Sequence, residues 1–227
     1  MNFAHPGFIT AGTMDGHSRS LSAVNLDAFD AVPLERAPYD YLIVPGFVRA
    51  AALTAVEADF PPIARHGSYP VGELKPGKAF LALLDEVQSP PVREAFETKF
   101  GLDLTGRPTM ITVRGQCHAK DGRIHTDSRD KIITVLIYLN RGWDDATGRL
   151  RILRSATDLE DYAAEVPPTS GTLLAFRRSD KSFHGHHRYV GQRRSIQLNW
   201  VTGEDVVKRE RSRHRLSAWL KRCLPGI

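Results

Sequence analysis

Along residues 193–200 polar and apolar side chains alternate. Arg193, Ser195, Gln197 and Asn199 fall on one side of an extended strand, and Arg194, Ile196, Leu198 and Trp200 on the other. A polar row on a central strand needs polar company, because an unpartnered buried polar group costs about 1–3 kcal/mol. A ligand pocket supplies that company. Three more strands are predicted upstream. Residues 131–140 (KIITVLIYLN) are apolar and β-branched and read as a buried strand. Residues 149–153 set Leu150 and Ile152 against Arg149 and Arg151, the pattern of an edge strand with one solvated side. Residues 171–176 form a further strand that delivers the chain to Ser182, Phe183 and His184.

The first half reads as support. Residues 39–44 predict a strand closed by Pro45 and Gly46, and residues 49–60 a helix whose Leu53, Val56 and Phe60 make one apolar stripe, ended by Pro61 and Pro62. A Gly- and Pro-rich loop over 65–78 is followed by helices around 79–87 and 91–100. Residues 1–37 have no firm periodicity and much Gly, Ser and Thr, so they read as a partly irregular leader. The expected organisation is this leader, one domain over 38–204, and a basic helix or tail over 205–227.

With 227 residues, 41% of them hydrophobic, the chain can build one sizeable core. Two cysteines, Cys117 and Cys223, do not make a disulfide framework. The first 20 residues lack the basic start and apolar run of a signal peptide, and no stretch approaches a membrane span, so a cytoplasmic protein is expected. The formal charge of +5 resides in one place. Between Asp205 and Cys223 seven Lys or Arg face two acids, which accounts for the whole excess and leaves the remainder neutral. That segment reads as a solvated helix face docking through Leu216, Trp219 and Leu220, with contact to an anionic surface as the alternative. Neutrality of the rest, and the lack of interleaved aromatics in the tail, make nucleic acid a poor partner.

The chemistry lies in His125-Thr126-Asp127 and the later His184. Residues two apart on a strand point the same way, so His125 and Asp127 project together and a later strand can bring His184 across to them. Two imidazoles and one carboxylate form a facial set that leaves open positions on an octahedral ion, the arrangement of non-haem Fe(II) oxygenases. An H-x-D triplet alone is weak evidence; its surroundings strengthen it.

From about residue 108 to 201 the sequence resembles the 2-oxoglutarate- and Fe(II)-dependent dioxygenases, in their prolyl-4-hydroxylase-like branch, through H-T-D, Y-L-N-R-G-W, G-R-L-R-I-L, S-F-H-G-H and R-R-S-I-Q-L-N-W. The resemblance implies a mainly β fold with supporting helices around a double-stranded β-helix, jelly-roll or cupin-like in architecture. It implies Fe(II) on His125, Asp127 and His184. It further implies that Arg193, nine positions after the last histidine, grips the distal carboxylate of 2-oxoglutarate, with a hydrogen bond from Tyr138. The expected reaction consumes O2 and 2-oxoglutarate, releases succinate and carbon dioxide, is stimulated by ascorbate, and hydroxylates a prolyl or other amino-acid side chain of a peptide or a small molecule. The competing class is a sensor or degenerate module that binds metal and 2-oxoglutarate without turnover.

Some alternatives stay open. His186, two residues beyond His184, is the rival third ligand, although the spacing to Arg193 favours His184. Alternation sends Arg193 rather than Arg194 into the polar pocket. Arg151, near the expected barrel mouth, is a candidate substrate contact, while Trp143 and Trp200 read as packing. Relatives often carry a tyrosine on the strand before the triplet; residues 110–118 here have none.

Overall fold

Period-two alternation in the second half of the chain builds two facing antiparallel sheets. The computed structural model describes residues 22–209 and 212. In chain order it contains helix α1 (Leu26–Ala31), strand β1 (Tyr41–Val44), α2 (Ala50–Ala58), β2 (Tyr69–Pro70), α3 (Lys78–Val87), α4 (Pro90–Phe100), β3 (Thr109–Cys117), β4 (Lys131–Tyr138), β5 (Leu150–Leu153), β6 (Tyr162–Val166), β7 (Leu173–Arg177), β8 (His184–Gly185) and β9 (Gly191–Val201). The larger sheet runs β1-β7-β4-β9-β3-β2 and the smaller β6-β5-β8. This is a double-stranded β-helix core with supporting helices.

Each long strand of the larger sheet divides its side chains between two environments. Ile133, Val135 and Ile137 of β4, Leu173 and Ala175 of β7, and Ile196, Leu198 and Trp200 of β9 join the outer core. There they meet Phe29, Val56, Phe80, Leu83, Phe96 and Phe100 from the four helices. The intervening residues, including Tyr138 of β4 and Leu174 and Phe176 of β7, turn inward and pack with Leu150, Ile152 and Val166 of the smaller sheet. At about 25 cal/mol per Å² of apolar surface removed from water, this helix-covered face is the main source of stability. The polar inward residues are left for the cavity between the sheets.

Within the described part of the leader Asn25 caps α1 by accepting from the Ala28 amide, and Phe29 is fully buried. Three expectations change on this fold. The predicted edge strand over 149–153 is central in the smaller sheet, all four residues of β5 are buried, and Arg151 is 8% exposed rather than solvated. Its outer neighbour β6 was not expected, because Tyr-Ala-Ala-Glu-Val has no clear alternation. The Gly/Pro loop contains the short strand β2 and one 3-10 turn, Val71–Glu73.

At the C-terminal end residues 204–209 are helical, and Val206 and Val207 pack on Val201 and Met110. Cys223, Leu216, Trp219, Leu220 and the rest of the basic run beyond residue 212 lie outside the described residues. Among those described, no helix is long and apolar enough to cross a membrane.

Candidate metal centre

The two-residue strand β8 is pinned where its histidine can act. His184 pairs with Ile152 of β5, and Tyr39 donates to the neighbouring Phe183 carbonyl at 2.8 Å. His184 and His125 also exchange both backbone hydrogen bonds, His125 N to His184 O at 3.1 Å and the reverse at 3.0 Å. This single bridge replaces the strand expected over 125–127. Asp127 is held instead by Arg178, whose Nε donates to its carbonyl at 3.1 Å. The outcome is that one ligand-type atom from each of His125, Asp127 and His184 lies within 4.8 Å of the others.

The rings are oriented for coordination. His125 Nδ1 is 2.8 Å from the Arg123 carbonyl and His184 Nδ1 is 3.0 Å from the Ser182 carbonyl. A carbonyl can only accept, so each Nδ1 carries the proton and each Nε2 keeps its lone pair. Burial pushes the His184 pKa down to about 4, with the nearby His125 ring and Lys131 ammonium adding to it against the Asp127 charge, so the ring is neutral near pH 7. For Asp127 burial works upward. The Lys131 charge and hydrogen bonds from Lys131 and Thr134 outweigh it, and the carboxyl sits below its ordinary value. Lys131 Nζ donates to Asp127 Oδ1 at 2.7 Å, Thr134 Oγ1 donates to Oδ2, and Asn199 Nδ2 donates in turn to Thr134 at 3.1 Å.

A cavity of about 380 Å³ opens over this group, walled by Leu136, Leu150 and Phe176 and by Arg193, Ser195 and Gln197 of the polar row. Arg193 is 6% exposed; its Nε donates to the Gly148 carbonyl at 2.8 Å, while its Nη2 is buried with no partner. The Tyr138 hydroxyl is also buried without a partner, beside the guanidinium, whose carbon lies 5.2 Å from the ring centroid. Burial raises the Tyr138 pKa against the opposing Arg193 charge, so the phenol keeps its proton and remains a donor. A buried guanidinium without an anion is an expensive arrangement, and an incoming carboxylate relieves it.

Other candidates sit elsewhere. The Arg194 guanidinium lies over the Phe60 ring at 4.9 Å, outside the barrel. Arg151 donates to Glu165 at 2.6 Å, Glu160 at 2.8 Å and the Leu159 carbonyl at 3.1 Å, and does not line the cavity. His186 does line it, but its Nδ1 is 2.8 Å from the His187 carbonyl and it is not part of the three-residue group. Burial and the Arg193 charge push its pKa down to about 4. Trp200 is buried against Phe96, and Trp143 packs on Tyr189.

Lys131, Thr134 and Arg114 line the cavity without having been singled out in the sequence. A basic residue inside the β-branched run of β3 was the available signal for Arg114.

Comparison with known proteins bears on this region. Residues 113–202 match the family model of the 2OG-Fe(II) oxygenase superfamily. No curated protein matches the chain in sequence. Among solved structures, a prolyl 4-hydroxylase from Phytophthora capsici is 16% identical, with 88% of this chain and 70% of that chain covered at a TM-score of 0.53. A Pseudomonas putida prolyl-4-hydroxylase is 17% identical, with 78% of this chain and 93% of that one covered at a TM-score of 0.49. At such identities the first likeness shows a shared fold. The segment that matches the family model, 113–202, carries His125, Asp127, His184 and Arg193, and members of that superfamily use Fe(II), 2-oxoglutarate and O2.

Proposed function

We propose that this chain is an Fe(II)- and 2-oxoglutarate-dependent dioxygenase that hydroxylates an amino-acid side chain, prolyl or other, or a small molecule. The observation that carries this reading is the meeting, in one cavity, of a His-Asp-His group with a buried guanidinium edge that has no partner. Two imidazole nitrogens and one ionised carboxylate would suit Fe(II) and would leave positions open on it. The unpartnered Arg193 Nη2 and Tyr138 hydroxyl suit a carboxylate, which takes a charge-assisted hydrogen bond from the first and a neutral one from the second.

In this reading His125, Asp127 and His184 hold the iron, while Arg193 and Tyr138 hold the far carboxylate of 2-oxoglutarate. When bound, iron and cosubstrate supply the oxidising chemistry that places oxygen on a C–H bond and releases succinate and carbon dioxide. The chain's own residues do the positioning. Asn199 and Thr134 fix one Asp127 oxygen, the Arg123 and Ser182 carbonyls fix the ring tautomers, and Leu136, Leu150 and Phe176 keep that wall of the cavity apolar.

The test is succinate formation from 2-oxoglutarate with Fe(II) and ascorbate. Asp127→Ala is expected to fall below about a tenth of wild type, since it removes one of three protein ligands, while circular dichroism remains that of a folded chain. His184→Ala should be far more damaging than His186→Ala; the reverse order moves the third ligand. A second reading, a module that binds without turnover, is favoured by Lys131, whose ammonium already neutralises Asp127. Metal-dependent 2-oxoglutarate binding without succinate would establish that reading instead.

A further inference from the structure

The cavity carries more positive charge than its cosubstrate needs. Arg114, Lys120, Arg123, Lys131 and Arg193 line it, against the carboxylates Asp121 and Asp127, so five cations less two anions leave +3. A bound Fe(II) and a 2-oxoglutarate dianion cancel one another and leave that excess unchanged. Arg193 is the cosubstrate's residue on the reading above, and Lys131 is engaged with Asp127 at 2.7 Å. Three cations, against the one carboxylate of Asp121, therefore remain on the side formed by β3 and the 118–125 turn, an excess of two.

Arg114 is the most constrained of the three. It stands opposite Ser195 in the β3–β9 register, so it leaves the sheet on the same inward face as Arg193 but from the neighbouring strand. Its Nε donates to Ser68 Oγ at 2.8 Å, which fixes the plane of the guanidinium. Its carboxylate contact, Nη1 to Asp121 Oδ2, is 3.7 Å, too long for a hydrogen bond. Lys120 and Arg123 have no ion-pair partner among the described residues. They ride on a turn packed tightly enough that a Cβ on Gly122 would lie 2.5 Å from the His186 ring, and Arg123 also supplies the carbonyl that orients His125.

We propose that the opening of this cavity is an anion subsite for the substrate, with Arg114 as its principal contact and Lys120 and Arg123 at its rim. The molecule oxidised then carries a carboxylate or phosphate group and is not a neutral stretch of peptide backbone. The proposal rests on the oxygenase reading for the word substrate; the anion site itself rests on the side chains named. A low-dielectric cleft lined by one sign of charge concentrates ligands of the other, and a planar guanidinium adds a directional fork to that attraction.

The experiment uses the full chain with nickel(II) in place of iron and saturating 2-oxoglutarate, so that Arg193 is occupied and no turnover occurs. Acetate, standing for a carboxylate, and sulfate, standing for a phosphate ester, are titrated by calorimetry. Saturable binding of either is expected with 2-oxoglutarate still in place, and the tighter of the two names the group. Arg114→Gln should weaken it by at least about tenfold, Arg114→Lys by less, and Arg123→Gln or Lys120→Gln by about two- to fivefold. The rim variants serve if the β3 substitution disturbs folding. No saturable binding, binding unchanged in Arg114→Gln, or an anion that merely displaces 2-oxoglutarate would overturn the subsite. If 2-oxoglutarate itself fails to bind while the Arg114-dependent anion binding persists, the oxygenase reading falls and the anion site stands.

Discussion

Arg193 and Arg194 are adjacent, identical in chemistry and opposite in circumstance. Arg193 is buried inside the barrel with one guanidinium nitrogen unpartnered, on a wall shared with Ser195 and Gln197. Arg194 is half-buried outside, its guanidinium over Phe60 and its backbone amide held by Asn140 Oδ1 at 2.7 Å. Its even-numbered companions Ile196, Leu198 and Trp200 belong to the helix-covered core. The two faces of β9 thus divide the work of the protein: one carries stability, and the other keeps polar groups buried at a cost that only a ligand offsets. Substitutions on the two faces should therefore fail in different assays.

The largest effect of a single substitution is expected on the outward face. Trp200 is fully buried against Phe96, and Trp200→Ala should cost about 3–5 kcal/mol of stability through lost contacts and a residual cavity. Urea unfolding measures it, and a loss under about 1 kcal/mol would blur the division between faces. Next comes the inward side, which titrates. His184 and His186 have an ordinary value of 6.5 and folded values of about 4, so the unfolded chain takes up protons first. In the metal-free protein their contribution is complete above about pH 6.5. It is lost as pH falls towards 4, by up to about 3 kcal/mol per ring. Urea midpoints after chelation should decline across that window; a flat profile would mean that the rings are not held neutral.

Smaller and more diagnostic is the arginine pair itself. Arg193→Ala should raise the 2-oxoglutarate requirement by one to several orders of magnitude, since each charge-assisted hydrogen bond is worth roughly 1.5–3 kcal/mol, and Arg193→Lys should rescue only part of it. Arg194→Ala should leave that requirement within about threefold, the smallest change of the series. Sensitivity at Arg194 instead would reverse the assignment of inward and outward residues along β9.

Legibility followed the strength of the periodic signal. The β9 faces, the buried run of β4 and the pair of helices α3 and α4 could be read because many residues repeat one pattern. The helix α1 was not, since six residues carry less than two turns of periodicity; its cue was Asn25 as a cap. β6 was missed for want of alternation, and Arg151 was misread as solvated because alternation cannot distinguish solvent from the side-chain partners Glu165 and His187. At the site, residue identities were legible and the local geometry was not. His125 and Asp127 share no strand, and Lys131 and Arg114 enter the cavity through tertiary register, which no short window of sequence contains.

The backbone pair between His125 and His184 makes the spacing of the two histidines independent of the chain that joins them. Both amides and both carbonyls are used up in that exchange, and Gly185 fits beside it because it lacks a Cβ, which would come within 2.8 Å of the Gly122 carbonyl. Lengthening the exposed 144–146 segment, far along the connecting chain, is expected to leave the imidazoles where the bridge sets them. Opening the bridge exposes both amides to hydrogen exchange at once, so the two imidazoles are expected to separate in a single event, while Asp127 keeps its own anchor on Arg178.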